Sequence, residues 1–123
     1  MEIILAENYG FCYGVKRAVE MADEAANSEG KSYTLGPIIH NPQVVGRLES
    51  KGVSPIQEVA DIDEGTMIIR SHGVGPAIYA EAEEKGLHIL DATCPHVKKA
   101  QQDAKSVIED GMTLVILGEK NHP

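Results

Sequence analysis

The stretch TMIIRSHGVGPAIYAEAEEKGLHILDATCP, residues 66 to 95, decides the fold. Thr66 to Arg70 is a short apolar run rich in β-branched residues and reads as a strand. Ser71-His72-Gly73 turns out of it, and Pro76 begins a helix that Gly86 closes, since proline suits the first helical turn and glycine the position past the last. Leu87 to Asp91 is a second strand, and Pro95 opens a second helix that runs to about Asp110 before Gly111. A strand, a helix of about three turns and another strand form a crossover unit. Its strands must be parallel and its connection right-handed.

The same alternation extends in both directions. Upstream, Glu2 to Ala6 reads as a strand, and Val15, Ala18, Val19, Ala22, Ala25 and Ala26 fall at helical spacing before Gly30. Tyr33 to Leu35 is a further strand. Asn41-Pro42 is a helix cap followed by proline at the first helical position, Val44, Val45 and Leu48 form the inner face of that helix, and Gly52 stops it. Val53 to Ile56 is a brief extended piece before an acidic loop through Glu64 and Gly65. Downstream, Thr113 to Leu117 reads as a last strand with no helix after it, which predicts an α/β protein that continues past Pro123. The fold expected is a parallel sheet with helices on both faces.

Composition narrows the function. The 123 residues are enough for one core, and 42% hydrophobic with 24% charged residues is ordinary for a soluble globular chain. Eleven basic against nineteen acidic residues give a net charge of -8, which argues against a nucleic-acid surface. No apolar run approaches a membrane span and no signal core opens the chain, so the expected location is cytoplasmic. The acidic residues Glu20, Asp23 and Glu24, and Glu81, Glu83 and Glu84, read as solvated helix faces. Two cysteines without a secretory signal do not make a disulfide scaffold.

Those two cysteines stand in matched contexts, Gly10-Phe11-Cys12-Tyr13-Gly14 and Asp91-Ala92-Thr93-Cys94-Pro95, each between an expected strand and an expected helix. Strand carboxyl ends beside helix N-termini are where α/β sheets keep their chemistry, and helix N-termini favour anionic sulfur. Metal ligation, a redox pair, and a nucleophile with a resolving partner all remain open. His40, His72 and His122 repeat the placement, whereas His88 lies in a strand and reads as structural, and His96 is in the first turn of a helix. Imidazoles grouped beside helix N-termini suit a phosphate or diphosphate. Zinc is the rival for a Cys-His set, although the paired spacing of a zinc ribbon is missing. The glycine loops at 10–14 and 73–75 match neither the dinucleotide fingerprint nor the P-loop. Their expected use is in tight turns and close backbone approach to a bulky centre.

Taken in order, Gly10 to Ala18, Ile39-His40-Asn41, Ser71-His72-Gly73-Val74, Asp91 to Pro95 and His122-Pro123 resemble the N-terminal part of the hydroxymethylbutenyl diphosphate reductase family. The resemblance implies three similar α/β domains around a 4Fe-4S cluster held by three cysteines, with Cys12 and Cys94 as two of the ligands. It implies that His40, His72 and His122 bind the allylic diphosphate substrate. The third cysteine and the glutamate proton donor are expected beyond Pro123, and the electron donor is expected to be ferredoxin or flavodoxin. The implied divisions are 1–14 as an N-terminal strand and cysteine loop packing with another domain, 15–94 as the first α/β domain, and 95–123 as the start of the second. The implied activity is removal of the substrate's hydroxyl to give isopentenyl and dimethylallyl diphosphate, with no activity from this stretch alone. The alternative is a non-enzymatic metal-binding or thiol redox-switch α/β module.

Overall fold

A computed structural model describes residues 1–118. Four strands, β1 (Ser32–Leu35), β2 (Val53–Ile56), β3 (Thr66–Ile69) and β4 (His88–Asp91), form one sheet of order β2-β1-β3-β4. All three ladders are parallel, with Leu35 opposite both Ile56 and Ile69, and Ile69 opposite Asp91. All four strands therefore end at one edge.

Helices α1 (Tyr13–Ala26) and α2 (Pro42–Ser50) cover one face, and α3 (Pro76–Glu84) with a short 3-10 turn, Val59–Asp61, covers the other. The strand side chains divide between the faces by their period of two. Ile68 packs under α1 and α2 with Ala18, Ala22 and Leu48, while Met67 and Ile69 pack with Val59, Ala82 and Leu87. Burying each such large aliphatic side chain is worth roughly 1.5–3 kcal/mol. Asn41 caps α2 as its position implies, its side chain accepting from Val44 N–H at 3.1 Å with Pro42 in the first turn.

Two expected strands do not form. Residues 2–6 and 113–117 are irregular and, Leu114 aside, exposed, with Ile4 at 82% and Leu117 at 94% of full exposure. A strand is stabilised by a neighbour's N–H and C=O groups, and among the described residues the ladders are β1 with β2, β1 with β3 and β3 with β4, none of which reaches either segment. A short apolar run alone cannot replace that partner. The last helix, α4 (Pro95–Glu109), forms where expected but buries none of its residues.

The acidic faces also differ from the expectation at one point. Asp23 is largely covered and joins α1 to α2 through Arg47 at 2.8 Å and Lys51 at 2.7 Å. Burial pushes its carboxyl up, but the hydrogen bond from Lys51 and the charge of Arg47 outweigh that and lower it below the usual range.

Candidate functional site

Strand order locates the site before any side chain is considered. From β1 the chain steps outward through α2 to β2, then returns across the sheet to β3 and steps the opposite way through α3 to β4. The reversal lies between β1 and β3, and the crevice outside the carboxyl ends at such a reversal is where open α/β sheets bind ligands. The loop after β1 carries His40 and the loop after β3 carries His72. Their rings lie with centroids 5.1 Å apart, tilted by 43°. Two of the three histidines singled out by sequence thus meet at the switch point. His122 lies outside the described residues.

His88 is the first residue of β4, at the opposite edge, where Thr66 Oγ1 lies 3.5 Å from its Nδ1. It takes no part in the site. His96 is exposed in the first turn of α4.

Cys94 follows β4 on the same edge as the histidines. Its N–H donates to the Ser71 carbonyl at 2.9 Å, tying the second cysteine loop to the turn that carries His72. Arg17 of α1 donates to the Thr93 carbonyl at 3.3 Å from the other side. Asp91 shapes the loop itself: it accepts from Thr93 N–H at 2.9 Å and from the Tyr79 hydroxyl at 3.0 Å, and pairs with Lys98 at 2.6 Å. Burial pushes the Asp91 carboxyl up, yet the Lys98 ammonium together with the bonds from Thr93 and Tyr79 holds it down at about 2. Burial, with the Asp91 carboxylate beside it, raises the Tyr79 phenol. One carboxylate therefore links β4, α3 and the start of α4.

Cys12 reaches the same place without the strand expected before it. It is the N-cap of α1 as Cys94 is of α4, and in neither does the sulfur bond to the helix. Both sulfurs stand free beside backbone N–H groups that favour negative charge. The approach of the two caps is set by Gly14. A Cβ there would lie 2.5 Å from Cys94 Sγ and 2.9 Å from Cys94 Cβ, so only a residue without a side chain admits the second cysteine to the first turn of α1.

The two free thiols are exposed at Cys12 and half-buried at Cys94. Among the described residues no group of three or more His, Cys, Asp or Glu side chains is gathered to hold a metal ion. A thiolate-bound iron centre nevertheless fits what is present: two uncommitted sulfurs at helix N-termini, Gly14 in the first turn of one helix packed against Cys94, and His72 on the adjoining turn with the His40 ring beside it. The sequence marked Gly14 for close approach to a bulky centre but not for its packing against Cys94, and it missed Asp91's full set of partners and the bond from Arg17 to the Thr93 carbonyl.

The comparisons with known proteins agree with the α/β fold. The sequence profile of the LytB protein family matches residues 3–123. The 4-hydroxy-3-methylbut-2-enyl diphosphate reductase of Geotalea uraniireducens is 54% identical over 123 residues, all of this chain and 44% of that protein. That of Pelobacter propionicus is 55% identical over the same shares. Among solved structures, a reductase described as the terminal enzyme of the non-mevalonate pathway superimposes with a TM-score of 0.86 at 51% identity, covering 98% of this chain and 43% of the other. The Plasmodium falciparum reductase gives 0.89 at 33% identity, over 94% and 37%. The chain thus spans less than half the length of the proteins it matches.

Proposed function

The chain belongs to the LytB protein family, and we propose that it forms part of an iron-sulfur oxidoreductase that removes the hydroxyl of 4-hydroxy-3-methylbut-2-enyl diphosphate, yielding isopentenyl and dimethylallyl diphosphate. The observation that carries this reading is the meeting of His40 and His72 at the sheet's switch point, joined through the Ser71 carbonyl to the Cys94 loop. An anion site and a thiol site share one edge, as a diphosphate ester reduced beside a metal centre requires.

In this reading Cys12 and Cys94 hold two irons of a 4Fe-4S cluster, and the third cysteine comes from the remainder of the reductase. When bound, the cluster would deliver electrons and a Lewis-acidic iron to the allylic hydroxyl. The protein's own part is placement. The imidazole N–H groups of His40 and His72, with His122, hold the diphosphate so that the hydroxyl end points toward the cysteines. Asp91 and Gly14 fix where Cys94 stands. Residues 15–94 form the first α/β domain. The exposed apolar segments around Ile4 and Ile116, with the uncovered α4, favour 1–14 packing with another domain and 95–123 opening the second. Ferredoxin or flavodoxin in the cytoplasm supplies the electrons. Among the described residues no helix is long and apolar enough to cross a membrane.

The test is anaerobic purification of the full-length reductase and its Cys94→Ser, His40→Ala and His88→Ala variants. Iron and acid-labile sulfide should fall in Cys94→Ser, affinity for the allylic diphosphate should fall in His40→Ala, and His88→Ala should match the parent in both. Zinc without sulfide, or a Cys12–Cys94 disulfide in active protein, would defeat the reading in favour of a metal or redox-switch module.

A further inference from the structure

Arg70 stands where the two histidine loops meet. Its carbonyl accepts from Gly73 N–H at 3.0 Å, closing the turn whose central residues are Ser71 and His72. Its side chain goes to the other loop. A Cβ on Gly36, which leads toward His40 and has φ +70°, would lie 3.2 Å from Arg70 Nη1, 3.9 Å from Cζ and 4.0 Å from Cδ. The guanidinium and its stem therefore run along the Gly36 backbone, a contact that a side chain at 36 would block. The Nε atom is buried with no hydrogen-bond partner among the described residues. Leaving a buried donor unpaired is costly, so a residue placed only for packing would serve better without the charge.

We propose that Arg70 is a positioning residue for the imidazole pair: it locks the loop after β1 to the turn after β3 and so sets the separation of His40 and His72 at which a diphosphate is gripped. This rests on the reading of that pair as the anion site. The flat guanidinium is what the contact needs. Lysine keeps the charge but is a compact ammonium on a flexible stem, and it cannot lie along a peptide in the same way.

The experiment is calorimetric titration of the full-length reductase with inorganic diphosphate, for the parent, R70A, R70K, H40A and the H40A/R70A pair, with iron content measured alongside. H40A should weaken binding about tenfold, the order of one lost charge-assisted hydrogen bond. R70A and R70K should each weaken it severalfold at unchanged iron content. In the H40A background R70A should add less than about twofold, because a residue that acts through His40 has nothing left to position. If R70A does not fold, R70K and G36A carry the test, since G36A crowds the guanidinium while removing no charge. Parental affinity in R70K would overturn the positioning role, and so would fully additive losses in the double variant, which would make Arg70 an independent ligand. Parental affinity in H40A is a different result: it would remove the anion site itself, and the positioning role with it.

Discussion

Replacing Gly14 by alanine tests the convergence of the two cysteines directly, because a second glycine in a neighbouring helix supplies the control. At Gly14 the added methyl carbon would stand 2.5 Å from Cys94 Sγ and 2.9 Å from Cys94 Cβ, about 1 Å inside the separation at which such atoms attract. Cys94 cannot simply retreat, for its N–H is bonded to Ser71 and its carbonyl accepts from Lys98 N–H at 3.0 Å. Overpacking of this kind costs about 1–3 kcal/mol, against at most about 1 kcal/mol gained from alanine's better helix propensity. At Gly46, exposed within α2, a Cβ meets nothing within 4 Å, so the alanine should stabilise by about 0.5–1 kcal/mol. The two variants should thus differ by roughly 2 kcal/mol in opposite directions. With a urea slope of about 1–3 kcal/mol per molar for a chain of this size, that is a midpoint separation on the order of 1 M by circular dichroism. In a Cys12→Ser background, the reaction rate of Cys94 with a chromogenic disulfide should change in Gly14→Ala and not in Gly46→Ala. If both alanines raised the midpoint equally and left thiol reactivity alone, the first turn of α1 would not be packed on Cys94, and the shared thiol site would lose its basis.

Further expectations concern charge and metal. Asp91 has its carboxyl lowered from 3.8 to about 2, a difference worth about 1 kcal/mol after solvent screening of a carboxylate that is only partly covered. Because its folded value lies below its unfolded one, that stability is fully present above about pH 4 and is lost as pH falls toward 2. Asp91→Asn should therefore lower the neutral-pH melting temperature and flatten the acid limb of the stability profile; an acid limb identical to the parent's would show that other carboxylates control it. Asp23→Asn, which severs the links to Arg47 and Lys51, should cost no more than about 1 kcal/mol and the loss should shrink in high salt. A salt-independent loss would point to packing instead. Reconstituted anaerobically on its own, the chain offers two cysteines, fewer than a stable 4Fe-4S cluster needs. Iron should stay well below four per monomer with no turnover of the allylic diphosphate, and a monomer that holds four irons and turns over would disprove the ligand count.

The sheet and its helices were legible because glycine, proline and asparagine punctuate them. Gly52 at φ +92° and Gly86 at φ +70° stop helices where the sequence implies, and Asn41 caps α2 by a bond within one turn. These signals are local. The strands expected at 2–6 and 113–117 had the short apolar runs of a strand, but strand formation depends on a neighbour that no local pattern records. The 3-10 turn at Val59–Asp61 was hidden in a stretch read as an acidic loop, where Asp61 reaches back to the N–H groups of Gln57 and Glu58 at 3.0 Å.

The site divides in the same way, and the division has a physical cause. Cys12, His40, His72 and Cys94 could be singled out because each sits beside an element boundary, and for His40, His72 and Cys94 that boundary follows a strand of the parallel sheet and so falls at one edge. Equivalent sequence positions thereby become neighbours in space without any long-range information. What spacing could not supply is the separation between them. That depends on Gly14 yielding to Cys94, on Arg70 lying over Gly36, and on Asp91 joining β4, α3 and α4. Each depends on contacts between different elements, made by residues whose individual identities look unremarkable. Residues that would bear chemistry can thus be found from local pattern, whereas residues that hold them at working distance appear only once the chain is folded. Substitutions at Gly14, Arg70 and Asp91 should accordingly alter affinity and thiol reactivity although Cys12, His40, His72 and Cys94 are themselves unchanged.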